Sequence, residues 1–100
     1  MLSKEKIIEF YIAQYEKSSK KKPKNISRSQ GFERRIDNLG KNLHRAKPYQ
    51  MSSKVLEDYH RQIKNLAYFA YHYHNQRSIN QLRERVLPEL VRLDLGMILN

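Results

Sequence analysis

The chain has 100 residues, which suits one folded domain and leaves no room for a second hydrophobic core. It has no cysteine, which excludes disulfide bonds and thiolate chemistry, and its three glycines and three prolines are few for an all-β fold. The formal net charge is +10, and residues 1–50 hold 13 of the 20 basic side chains but only 5 of the 10 acidic ones. A polyanionic partner, most commonly a nucleic acid, is therefore the first expectation.

A first amphipathic helix is predicted from Ser3 to about Lys17. Serine is one of the residue types that cap a helix N-terminus. The apolar side chains that follow recur at intervals placing them on one side of a helix: Ile8, Tyr11, Ile12 and Tyr15. We expect that side to be buried.

Residues 18–26, SSKKKPKNI, are predicted to be a basic, flexible linker in which Pro23 prevents a helix. From Lys17 to Arg28 the chain has six basic residues and no acidic one. The segment is either a solvated loop or an arm that contacts phosphate groups, and the two overlap because such arms often become ordered only on binding. The candidate phosphate-binding residues here are Lys20, Lys21, Lys22, Lys24 and Arg28.

A second helix is predicted to begin at the capping box Ser27-Arg28-Ser29-Gln30 and to end at about Arg45. Its apolar side is made of Phe32, Ile36, Leu39 and Leu43. At 100° per residue, basic side chains lie opposite that side or at its flank: Arg34, Lys41, Arg45 and Arg35. Guanidinium groups suit phosphate oxygens, so we expect this side to bind phosphate.

The long central helix is predicted at about residues 53–77, and we expect the rest of the chain to pack against it. Side chains at spacings of three and four form its core stripe: Leu56, Tyr59, Ile63, Leu66, Ala70 and Tyr73. Its later part, LAYFAYHY, is apolar or aromatic nearly all round, as in helices buried on several sides. Tyr68 and Tyr71 lie off the stripe. They either pack in the core, contact another subunit or stack on bases.

A last helix is predicted to begin at the Ser78-Ile79-Asn80-Gln81 capping box, with a kink at Pro88 and a C-terminal cap at Gly96. Four helices joined by short loops indicate an all-α fold. We therefore expect residues 1–100 to form a single compact bundle around the central helix.

No motif in the sequence indicates catalysis, a cofactor or a metal site. The chain has no P-loop, no G-x-G-x-x-G and no G-x-S-x-G. No two of its four histidines have the i, i+4 spacing of a helical metal pair. A nuclease pair of Arg35 or Arg34 with His44 would be too far apart for one tight site. We expect a protein that is not an enzyme.

Three segments carry a resemblance to a known family: ISRSQGFERRIDNL, LAYFAYHY followed by Arg77, and SINQLRERVLPEL. They make the stretch from Ile26 to about Leu93 similar to the small helical subunits of multi-subunit CRISPR effector complexes. That resemblance implies a small, basic, all-α subunit that contacts the guide or target strand through its backbone and catalyses nothing. The positions that it implies for strand contact are Arg28, Arg34, Arg35, Lys41, Arg45 and Arg77.

Two functions remain open at this point. The first is a nucleic-acid-binding protein that contacts the phosphate backbone as one subunit of a larger nucleoprotein assembly. The second is a small helical interaction protein, of the immunity or inhibitor type, that binds a protein or a membrane surface. The chain has no apolar run of about 18 residues, so we expect no transmembrane segment and a cytoplasmic location.

Overall fold

A computed structural model describes residues 3–20 and 31–99 of the chain. Within these residues the protein is all-helical and has no β-strand, so the predicted fold class is confirmed. The first three helices are α1 (Lys4–Ser18), α2 (Phe32–Arg45) and α3 (Ser53–His72). The fourth, α4, is one continuous helical stretch made of Gln76–Gln81, a π-helical turn at Leu82–Val86, and Leu87–Leu99.

The start of α1 agrees with the sequence-based prediction and the start of α2 does not. The Ser3 hydroxyl accepts a hydrogen bond of 3.2 Å from the backbone N–H of Lys6. Gly31 has a left-handed backbone, with φ of 72°, so the right-handed helix α2 begins only at Phe32. The prediction that this helix starts directly after a Ser27 box is therefore wrong. Residues 27–30 themselves lie outside the described residues.

The hydrophobic core contains the apolar stripes of all four helices. Helix α3 lies between α1 and α2 and contacts both, as well as α4. The buried side chains include Ile8, Ile12, Tyr15, Ile36, Leu39, Leu43, Ile63, Leu66, Ala70, Leu82, Val86, Leu90 and Leu93. One predicted core residue, Tyr73, is instead 46% exposed. It is the C-cap residue of α3, and the chain turns away directly after it, so its side chain lies at the end of the helix and not inside the core.

Helix α3 ends at His72, five residues before the predicted end at Arg77. The backbone N–H groups of His74 and Asn75 turn back and donate to the carbonyl oxygens of Tyr71 and Ala70, at 3.2 and 2.9 Å. His74 has φ of 52°. This is a Schellman motif, in which a left-handed residue just after the helix satisfies its last carbonyl groups.

Helix α4 begins at Gln76 with Asn75 as its cap, so the prediction of a Ser78 cap is wrong. The Asn75 side-chain oxygen accepts a hydrogen bond of 3.0 Å from the Ser78 backbone N–H. Ser78 lies inside the helix and is fully buried. A kink was predicted at Pro88, and the structure has a π-helical turn just before it. The five residues Leu82–Val86 are π-helical, and this turn ends directly before the Leu87-Pro88 pair.

Helix α4 packs closely on both α2 and the connection between α2 and α3. The Arg92 guanidinium donates to the carbonyl oxygens of Leu43 and Ala46, at 2.9 and 3.0 Å, and so caps the C-terminus of α2. Gly96 was predicted as a C-terminal cap, but it lies within α4. It packs against Pro48, the first residue of a short 3₁₀ turn, Pro48–Gln50.

Candidate nucleic-acid interface

The exposed side of α2 and the neighbouring side of α4 form one surface with two adjoining grooves of about 490 and 450 Å³. Five basic side chains line the grooves, and all five are exposed. We call this surface the α2–α4 basic face, and it consists of Arg34, Lys41, Arg45, Arg77 and Arg85. Four of the five are candidates from the sequence, so the fold brings separate parts of the prediction together.

Packing of the two helices determines where this face lies. Burial of the apolar stripe of α2 leaves the opposite side, with its arginines and Lys41, in solvent. Gly40 lies where α4 packs on α2: a Cβ there would lie 3.4 Å from Val86 Cγ2 and 3.9 Å from the Arg85 carbonyl oxygen, which are ordinary van der Waals distances. Arg85 belongs to the π-helical turn and lines both grooves.

Most of the acidic groups on this surface already have partners. Asp37 accepts a hydrogen bond of 2.7 Å from the Gln81 amide and pairs with Lys41 at 3.3 Å. The Asn75 amide donates to the Glu33 carboxylate. Glu84, which lies at the border of both grooves, is the acidic group in them without a contact among the described residues. The acidic groups therefore reduce the positive field of the face but leave its guanidinium groups unengaged.

Glu89, at the Arg45 end of the face, is held by His44 and Arg92. His44 Nδ1 lies 3.2 Å from one carboxylate oxygen, and Arg92 Nε donates to the other at 2.9 Å. Burial of the Glu89 carboxyl raises its pKa, but the hydrogen bonds from His44 and Arg92 outweigh that effect, so the pKa lies below its ordinary value. Glu89 is thus ionised at neutral pH, and its two carboxylate oxygens are already in contact with His44 and Arg92.

The arginines of the face are the groups left for a ligand. The side chains of Arg34, Arg45, Arg77 and Arg85 make no ion pair or hydrogen bond with residues 3–20 or 31–99. A phosphate group can therefore accept their hydrogen bonds without breaking an existing pair. Guanidinium forks match phosphate oxygens in two-bond geometry, so this arrangement is suited to a phosphate backbone.

The structure describes only some of the remaining basic candidates. Lys20 is exposed at the end of α1, and Arg35 is exposed but has an interaction of its own. Lys21, Lys22, Lys24 and Arg28 lie outside the described residues. Arg85 is a groove residue that reasoning from the sequence missed. Its exposure on the same side as Arg77 depends on the π-helical turn, which the pattern of apolar residues does not reveal.

The two tyrosines singled out from the sequence, Tyr68 and Tyr71, differ in how accessible they are to a ligand. Tyr71 is 8% exposed and belongs to the core, so the stacking role considered for it is wrong. Burial also raises the pKa of its hydroxyl. Tyr68 is half-buried and lies parallel to the His72 ring, with 6.0 Å between ring centroids. The exposed ring at this end of α3 is Tyr73.

Three of the histidines make contacts within the fold. His44 contacts Glu89, His60 Nε2 lies 2.8 Å from Asp94, and His72 Nδ1 donates to the Ser19 carbonyl oxygen at 3.1 Å. Among the described residues, no group of three or more His, Cys, Asp or Glu side chains is arranged to hold a metal ion. Within the same residues, no helix has both the length and the apolar character needed to cross a membrane.

Comparisons with protein-family models, with curated proteins and with solved structures found no match. The function is therefore argued from the α2–α4 basic face itself.

Proposed function

We propose that this protein is a non-enzymatic nucleic-acid-binding protein that contacts the phosphate backbone through the α2–α4 basic face. One observation carries the proposal: four exposed arginines lie on one grooved surface without ion-pair partners among the described residues. The net charge of +10 supports it, because such a charge attracts a polyanion over long range.

The dimensions of the face fit several consecutive phosphates. Arg34 and Arg45 are eleven residues apart on α2, which corresponds to about 17 Å along a helix. One strand of a duplex rises by about 3.4 Å per nucleotide, so this distance spans about five nucleotides. Contacts from arginine and lysine to phosphate oxygens carry no sequence information, so the binding is expected to depend little on sequence.

Titrations of labelled single- and double-stranded DNA and RNA at several salt concentrations test the proposal. Each neutralised phosphate contributes about −0.7 to −0.9 to the slope of log K against log salt. Four arginines on phosphates therefore predict a slope of about −3. A slope near zero for every nucleic acid would contradict the proposal and favour the protein- or membrane-binding alternative.

Charge-reversal variants locate the site. Replacing Arg34 and Arg85 with Glu is expected to weaken binding at least tenfold and to reduce the salt slope by about two contacts. The matched control replaces Lys54 and Lys64, two exposed residues of α3 outside the grooves, with Glu. It changes the net charge equally. Equal losses in both double variants would show that overall charge, and not this face, determines binding.

We also propose that the protein acts within a larger nucleoprotein assembly, as its resemblance to CRISPR effector subunits implies. Sedimentation of complexes with oligonucleotides of increasing length tests it. More than one copy should bind the longer strands in contact with one another, and independent, non-cooperative binding at every length would contradict it.

A further inference from the structure

The C-terminal end of α3 carries a ladder of aromatic rings four residues apart. Tyr68 lies parallel to His72, and Phe69 lies parallel to Tyr73, with 6.5 Å between the ring centroids and 11° between the planes. The rings of His72 and Tyr73 meet edge to face at 4.9 Å. We call these four side chains the aromatic end of α3.

The outermost ring of this ladder, Tyr73, is both exposed and held in place. Phe69 is buried and supports Tyr73 from one side, whereas Tyr73 has nearly half of its surface in solvent. The Tyr73 backbone N–H donates to the Phe69 carbonyl oxygen at 3.0 Å, and the Schellman motif follows directly. A ring fixed in this way loses little conformational freedom when a ligand stacks on it.

Cationic residues converge on the same end of the molecule from two other helices. His72 donates to the Ser19 carbonyl oxygen at the end of α1, and the next residue along the chain is the exposed Lys20. Asn75 donates to Glu33 at the start of α2, next to Arg34. Asn75, two residues beyond Tyr73, thus links the aromatic end of α3 to Glu33, which lines the groove that Arg34 and Arg77 also line.

We infer that the protein binds single-stranded nucleic acid, with an unpaired base stacked on Tyr73 and the adjacent phosphates on Lys20, Arg34 and Arg77. This inference rests on the proposed function and specifies its ligand. Aromatic side chains next to a basic groove are the combination that single-strand-binding proteins use. Base pairs inside a duplex are stacked on each other and offer no free face to Tyr73, so the ring discriminates against duplexes.

Substitution of Tyr73 tests the inference directly. Tyr73→Ala is expected to lower the affinity for a single-stranded 12-mer about tenfold and to leave the duplex affinity nearly unchanged. Tyr73→Phe keeps the ring and is expected to bind as the wild type does. The control is Tyr49→Ala, since Tyr49 is 75% exposed but lies on the turn between α2 and α3.

Abasic oligonucleotides test the same point without relying on the folding of a variant. A 12-mer whose central sugars lack bases is expected to bind the wild-type protein about tenfold more weakly than the intact strand, and Tyr73→Ala is expected to bind both strands alike. Salt-dependent binding that is unaffected by Tyr73→Ala and by base removal would overturn the inference while leaving the proposed function intact. Absence of salt-dependent binding to any nucleic acid would overturn both.

Discussion

Gly40 and Gly96 both lie inside helices, yet the space beside them differs. A Cβ on Gly96 would lie 2.6 Å from both Cβ and Cγ of Pro48, which is closer than real side-chain atoms come. A Cβ on Gly40 would make an ordinary contact of 3.4 Å with Val86 Cγ2. Only the glycine of α4 is therefore required by its surroundings.

Alanine substitutions at these two positions should change stability in opposite directions. Gly96→Ala is expected to lower the free energy of unfolding by ~1–3 kcal/mol, because Pro48 or α4 must shift. Gly40→Ala is expected to raise it by ~0.5–1 kcal/mol, because alanine loses less backbone entropy in a helix than glycine does. Urea unfolding of both variants measures the difference, and a destabilised Gly40→Ala would contradict the assigned contact.

Glu89 should make stability depend on pH in the acidic range. Its folded-state pKa lies below its ordinary value of 4.5, so the ionised form stabilises the fold above pH 4.5 and that contribution is lost as the pH falls through the folded-state pKa. Glu89→Gln should therefore be less stable than the wild type at pH 7, with the difference narrowing below pH 4.5.

Urea unfolding at pH 7, 4.5 and 3 measures the effect of Glu89→Gln. The control is Asp58→Asn, because Asp58 pairs with Arg61 at the surface and such pairs contribute little. A difference between wild type and Glu89→Gln that is the same at all three pH values would show that the carboxylate is not preferentially stabilised in the fold.

At the scale of secondary structure, the end of α3 depends on a residue that is not suited to its backbone. His74 has φ of 52°, a left-handed conformation that costs a side-chain-bearing residue ~1–2 kcal/mol but is open to glycine. His74→Gly is therefore expected to raise the free energy of unfolding by ~0.5–1 kcal/mol, as measured by thermal or urea unfolding.

Glycine at an ordinary helical position provides the matched comparison. Gln62 is exposed in the interior of α3, where Gln62→Gly should lower stability by ~1 kcal/mol. Opposite signs for the two substitutions would support the Schellman motif. Destabilisation by both would mean that the His74 side chain makes a contribution larger than its backbone strain.

For the whole molecule, apolar periodicity was sufficient to predict the fold class and most of the core. Ile36, Leu39 and Leu43 are buried as their spacing predicts, and burial of that stripe necessarily leaves Arg34 and Arg45 in solvent. One side of the candidate site could therefore be predicted from α2 alone, because the two sides of an amphipathic helix determine each other.

The other side of the site depends on backbone features without a sequence signal. A Schellman motif commonly contains glycine, but here the left-handed residue is His74, so the end of α3 was not recognised. That early end moves Tyr73 out of the core and assigns Arg77 to α4. Arg85 reaches the grooves from a π-helical turn, which the 3.6-residue periodicity cannot indicate.

The π-helical turn divides α4 into two segments that differ in phase. Such a turn accommodates one residue more than an α-helical turn, so the positions before Leu82 and after Val86 do not follow one continuous 3.6-residue repeat. If the same residues adopted α-helical geometry instead, the two segments would be rotated by about 100° relative to each other. With Leu87–Leu99 packed in the core, Arg77 would then no longer line the same groove as Arg34. The π-helical turn therefore lets one helix serve both the core and the basic face.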